Sequence, residues 1–155
     1  MPNILFVCSA NRFRSVLAAE CFKSLLENQL KADGWVVGSA GIWVKEGEAP
    51  IKEALQWAAN KHLNIESVRS REITTTLVNE ADLIIVMADG QREAITLEFP
   101  QAKNKIALFS EITVGQTYDI PDPVMASDED PQQIAEEIFS LVDAGFSRIV
   151  SRAAG

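Results

Sequence analysis

Cysteine is nearly absent from this chain: Cys8 and Cys21 are the only two in 155 residues. That excludes a disulfide-stapled scaffold and fits a reducing compartment. Histidine is scarcer still, with His62 alone. No Cys/His cluster has metal-ligand spacing, so neither a metal nor a cofactor is expected. Positive charge is in deficit, with 14 Lys and Arg against 22 Asp and Glu and a net charge of −8. This argues against duplex nucleic acid or an anionic membrane as the main partner, although a local basic patch can still hold an anion. Long apolar runs are missing. The N-terminal one is about five residues with no basic segment before it, too short for a signal-peptide core, and nothing approaches the ~18 residues of a membrane helix. The cytoplasm is the expected location. There is no Gly-x4-Gly-Lys-Ser/Thr loop, and Gly38-Ser39-Ala40-Gly41 is not a dinucleotide fingerprint.

What remains is an ordinary globular composition, 47% hydrophobic and 23% charged, of a length that suits one domain over 1–155. Short apolar runs at 3–7, 35–41, 82–87 and 105–109 read as strands. The first is continuously apolar, as in a strand covered on both faces, and the third also reads as buried. Between them lie helical patterns. One opens at Ser15, a good N-cap, with the stripe Leu17, Ala18, Cys21, Phe22 and Leu25. A second spans 50–61, with Pro50 at its first position and Leu55 and Ala58 inward. A short turn covers 74–79, and a helix over 90–98 is capped by Asp89 and stopped at Pro100. The last begins near Asp130-Pro131, with Ile134, Ile138, Leu141, Val142, Phe146 and Ile149 inward. Residues 62–73 read as irregular and 110–130 as a long turn-rich loop. Strands alternating with helices imply right-handed crossovers. The predicted fold is α/β: a three-layer, doubly wound, four-stranded parallel sheet with helices on both faces. Ligands of such sheets bind outside the carboxyl ends of the strands, which brings Cys8 and the loop after Phe109 to one edge.

The stretch Cys8-Ser9-Ala10-Asn11-Arg12-Phe13-Arg14-Ser15 lies between the first strand and the first helix and carries the chemistry. A thiolate is the nucleophilic form of cysteine. The helix N-terminus and Arg14 supply the positive potential that favours it, and Ser15 can donate its hydroxyl to the sulfur. The Arg14 guanidinium matches two oxygens of a tetrahedral oxyanion, and amides of a tight loop can cradle the others. A leaving alkoxide or phenolate needs a proton. Asp122, held extended by Pro123, is the candidate acid and then the base for the water that cleaves a phosphocysteine. Asp119 is the rival acid. Arg12 reads as solvent-facing and anion-steering, and Cys21 as core. His62 reads as a surface residue, against a Cys-His protease. Trp43 either packs inward or forms one pocket wall, and Asp128-Glu129-Asp130 reads as a solvated helix cap.

These motifs, in this order and over essentially the whole chain, resemble the low-molecular-weight protein tyrosine phosphatases. The resemblance implies that Cys8 forms the phosphoenzyme, Arg14 binds phosphate and Asp122 is the general acid. It implies that Ser9, Ala10, Asn11, Arg12, Phe13, Arg14 and Ser15, with Trp43, contact substrate. Asn11, Ser15 and Ser39 then support the loop. The implied partners are a phosphorylated protein or small aryl phosphate, with inorganic phosphate or a similar oxyanion in the loop, and the chain is expected to be a monomer or weak dimer. The chain departs from the family's pattern at Ala10, where glycine is usual, at Val16, where proline is usual, and at Phe13, where a second cysteine is usual. The disulfide that shields the nucleophile in many relatives therefore cannot form. A loop-supporting histidine of the family is replaced by Val68. Val124 and Met125 follow Asp122-Pro123 where many relatives carry aromatics. The same fold and loop serve arsenate reductases and protein-arginine phosphatases, the alternative enzymatic readings. A non-catalytic oxyanion-binding module is a further one.

Overall fold

The computed structural model describes residues 2–29, 32–124 and 128–155. The four strands are β1 (Asn3–Cys8), β2 (Val36–Gly41), β3 (Leu83–Val86) and β4 (Ile106–Leu108). All pair in parallel, in the order β2-β1-β3-β4. Alternation along β1 sends Ile4, Phe6 and Cys8 to one face and Leu5 and Val7 to the other, and each set joins a separate buried cluster. The first cluster is covered by α1 (Arg14–Asn28), α2 (Lys52–Asn60), α5 (Phe109–Val114) and α6 (Pro131–Ala154). The second is covered by α3 (Thr75–Glu80), α4 (Asp89–Glu98) and a 3-10 turn over Pro100–Lys105. The expected three-layer α/β architecture is therefore observed. Its larger core is built on Phe22, whose ring lies 5.1 Å from Phe146 and 6.0 Å from Phe6.

Several boundaries differ from the sequence reading. β1 runs one residue further and includes Cys8, so the thiol is fixed by the sheet rather than by the loop. Ser15 does not cap α1. The helix starts at Arg14 after Phe13, and the first bond within it runs from Leu17 N to Phe13 O. The Ser15 side chain is thereby free for the thiol. Pro50 precedes the second helix instead of opening it, because Ile51 is the residue that accepts from Ala54 and Leu55. Trp57 fills the inward position expected for Leu55, which is half-buried. Asp89 is the first residue of α4 rather than its cap. The expected loop over 110–130 contains most of α5, whose Phe109, Ile112 and Thr113 are buried. At barely two turns it is too short to display a helical period. Asp130 does cap α6, accepting from Gln132 N at 3.0 Å. All six predicted inward residues of that helix are buried.

Candidate active site

Cys8 ends β1, and α1 begins six residues later, so the intervening loop wraps the sulfur at a helix N-terminus. Neighbouring backbone holds it from outside. Ile42 N donates to Cys8 O, Trp43 N to Ser9 O at 3.0 Å, and Ile51 N to Arg12 O at 3.1 Å. Inside, the Ser15 hydroxyl lies 3.0 Å from the Cys8 Sγ. Its polarity follows from its other partner. Asn11 Nδ2 donates to Ser15 Oγ at 2.9 Å, which leaves the Ser15 proton for the sulfur.

Asn11 sits at φ 57°, in the left-handed region. Side chains rarely adopt this conformation unless held there, and Asn11 is held by its own amide. Besides Ser15, its Nδ2 donates to Ser39 Oγ at 3.0 Å, and its Oδ1 accepts from Arg71 N at 3.0 Å. Arg71 Nε in turn donates to Ser39 O at 2.9 Å. The sequence reading named Asn11, Ser15 and Ser39 but not Arg71, and set Val68 at the supporting place. Val68 packs half-buried against the core, and the support comes from the backbone and guanidinium of Arg71. Glycine at 41 is needed here for space: a Cβ would stand 2.6 Å from Ser9 O and 3.0 Å from Asn11 Cβ.

Arg14 is buried, with 4% of its surface exposed. Nη1 donates to Ile120 O at 2.9 Å and Nη2 lies 3.1 Å from Asp122 Oδ2. The segment after α5 is thus tied to the loop after β1, across more than a hundred residues of chain. Ser110 assists by clamping Tyr118: its hydroxyl donates to Tyr118 O and accepts from Tyr118 N. The Tyr118 phenol is raised above its ordinary value by burial and by Glu137. The two candidate acids separate clearly. Asp122 pairs with Arg14, while Asp119 Oδ1 accepts from Asp89 N at 2.9 Å, at the start of α4.

A cavity of about 460 Å³ opens above these groups, lined by Ser9, Arg14, Ile42, Trp43, Ala88, Gly90, Gln91, Ala94, Asp119 and Asp122. Trp43 stands at the rim with 76% of its surface exposed, so it is a wall and not core. Ala10 is half-buried, and Phe13 is buried in the core rather than facing this cavity. Arg12, expected in solvent, is half-buried and donates Nε to Ala49 O at 2.7 Å. Gln91 was missed altogether, because a glutamine on a helix carries no pattern of its own. Val124 N donates to Asp122 Oδ1, and Met125 lies outside the described residues. Cys21 is buried, and desolvation pushes its thiol up to about 12, which leaves it inert. His62 is exposed. Among the described residues no cluster of His, Cys, Asp and Glu is arranged to hold a metal, and no helix is long and apolar enough to cross a membrane.

Residues 3–152 match the family profile described as low molecular weight phosphotyrosine protein phosphatase. The chain belongs to this family. Among its relatives, a protein-arginine-phosphatase of Geobacillus stearothermophilus is 33% identical over 146 residues, covering 92% of this chain and 93% of that one. A probable low molecular weight protein-tyrosine-phosphatase, EpsP of Ralstonia solanacearum, is 33% identical over 153 residues, covering 98% and 96%. A crystal structure of a YwlE mutant from Bacillus subtilis superposes with a TM-score of 0.87 at 26% identity, covering 97% and 99%. The phosphatase family thus includes enzymes named for two different phosphorylated residues, on one fold.

Proposed function

We propose that this chain is a cofactor-free protein phosphatase that hydrolyses phosphotyrosine through a phosphocysteine. The observation that carries the reading is a pair of contacts at the two ends of the Cys8–Ser15 loop: the buried Cys8 sulfur lies 3.0 Å from Ser15 Oγ, and the Arg14 guanidinium lies 3.1 Å from Asp122, both of these last two lining one cavity. In this reading the substrate phosphoryl seats on Arg14 and the loop amides. The Cys8 thiolate attacks phosphorus in line, and the donors that bound the ground state stabilise the charge of the transition state. Asp122 protonates the departing phenolate and then takes a proton from the water that cleaves the phosphocysteine. The exposed Trp43 supplies one flat wall for a phenyl ring.

Phosphoarginine is the second reading. A departing guanidine would meet two carboxylates, Asp119 and Asp122, in the same cavity, and one relative bears that activity in its name. Arsenate reduction through a relay of protein cysteines is disfavoured, because Cys21 is the sole other cysteine and is buried and inert. The deciding experiment is turnover of a phosphotyrosine peptide, a phosphoarginine peptide and arsenate plus glutathione, side by side with Cys8→Ser. Release of phosphate from the tyrosine peptide, unaffected by EDTA and abolished in Cys8→Ser, is expected. Preference for phosphoarginine establishes the second reading. Thiol oxidation by arsenate alone, or oxyanion binding without any turnover, overturns both.

A further inference from the structure

The hydroxyl of Ser9 has its polarity fixed by a residue outside the loop. Gln91 is buried on α4, and its Oε1 accepts two backbone donors, Met87 N and Ala88 N, each at 3.0 Å. An amide whose oxygen holds two N–H groups must present its NH2 on the other side. That NH2 reaches Ser9 Oγ at 3.1 Å. Arg14 Nη2 approaches the same oxygen at 3.5 Å. Ser9 Oγ therefore receives hydrogen bonds from two donors that cannot reverse, and its own proton has to point elsewhere. Among the described residues no acceptor receives it, and Ser9 lines the cavity beside Arg14 and Asp122.

We propose that the Ser9 hydroxyl is a further donor to the substrate's phosphoryl group, and that Gln91 is the positioning residue that aims it. This rests on the phosphatase reading above, and it adds a side-chain donor to the loop amides and Arg14. A donor directed at the phosphoryl oxygens strengthens as charge gathers there during transfer. An apolar residue at position 9 would leave the Gln91 amide without its acceptor, and an apolar residue at position 91 would let the Ser9 hydroxyl turn away. A carboxylate at 91 would do more. It could still accept from Met87 N and Ala88 N, but it would also accept from Ser9 and draw the proton out of the cavity.

The test is steady-state kinetics with an aryl phosphate, together with vanadate inhibition, on the full chain bearing Ser9→Ala, Ser9→Thr, Gln91→Glu and the double variant Ser9→Ala/Gln91→Glu. Ser9→Ala is expected to lower kcat/KM about 10- to 100-fold and to weaken vanadate inhibition. Ser9→Thr, which keeps the hydroxyl, should retain most of the activity. Gln91→Glu should fall to the level of Ser9→Ala, and the double variant should fall no further. Thermal melting reports whether each variant is folded. Full activity in a folded Ser9→Ala, or losses in the double variant that multiply, overturn the proposal while leaving the phosphatase reading intact. Absence of turnover in the unmodified protein overturns both.

Discussion

Asp122 and Arg14 form one ion pair at 3.1 Å, and that geometry sets what each can do. A phosphoryl group seated on the guanidinium arrives with a carboxyl already beside its leaving atom. Replacing Asp122 by Ala should slow hydrolysis by about 10²- to 10⁴-fold for alkyl phosphates and weakly acidic phenols. The loss should be far smaller for nitrophenol, which leaves without a proton; equal losses across a leaving-group series would remove Asp122 from the acid's role. Asp119→Ala should leave that series nearly unchanged, because Asp119 is engaged with the backbone of Asp89. The two cysteines differ as sharply. Both are buried, but Cys21 sits in the core with its thiol pushed up to about 12, while Cys8 ends a strand beside the Ser15 hydroxyl, next to Ser9 of the cavity wall. Iodoacetamide on the native protein at neutral pH should therefore modify Cys8 alone, with bound phosphate protecting it. Mass analysis of the labelled peptides checks this, and labelling of Cys21 before unfolding would contradict it.

At the scale of elements, the loop between β1 and α1 is gripped by two other segments. Asn11 bonds to Ser39 and Ser15 through Nδ2 and to Arg71 through Oδ1 while holding φ at 57°. Asn11→Ala should cost about 2–3 kcal/mol, since it leaves Arg71 N without its acceptor and keeps a strained backbone. Asn11→Gly should lose less stability but as much turnover, a split visible by comparing melting curves with kcat/KM. Gly41→Ala should strain the same loop from below, by about 1–3 kcal/mol or about 2–10 °C in melting temperature; an unchanged midpoint would show that Ser9 and Asn11 can yield. These elements also mark what the sequence could and could not say. Cys8, Arg14, Ser15 and Asp122 were readable because they fall at strand ends, helix starts and before a proline. The strands and the long helices were readable from their periods. Arg71 and Gln91 were not, because both act through bonds made across the fold and neither sits in a local pattern. Helix α5 was hidden by its length, and the true start of α1 by the plausibility of Ser15 as a cap, a role it forgoes to face the sulfur.

For the whole molecule, the parallel sheet in the order β2-β1-β3-β4 puts β1 in its interior, so that the loop carrying Arg14 and the segment carrying Asp122 meet at one edge. Behind the site, α2 is tied to α6 by Glu136, which accepts from the Trp57 indole at 2.5 Å and pairs with Lys61 at 3.2 Å. The Trp57 bond, helped by Lys61, holds the Glu136 carboxyl below its usual range. A depressed carboxyl stabilises the fold above its unfolded value, and the contribution disappears as pH falls through the folded value. Glu136→Gln should accordingly melt slightly below the unmodified protein at neutral pH, with the gap closing in acid; a gap that widens in acid would contradict the assignment. The central claim is that phosphoryl transfer passes through Cys8. It is tested most directly by mixing Asp122→Ala, in which breakdown of the intermediate is slowed, with excess nitrophenyl phosphate, quenching rapidly and mapping the modified peptide by mass spectrometry. The account predicts one phosphoryl group per chain, carried on Cys8. A chain that turns over substrate with no phosphoryl group on Cys8, or with one on another residue, would contradict it.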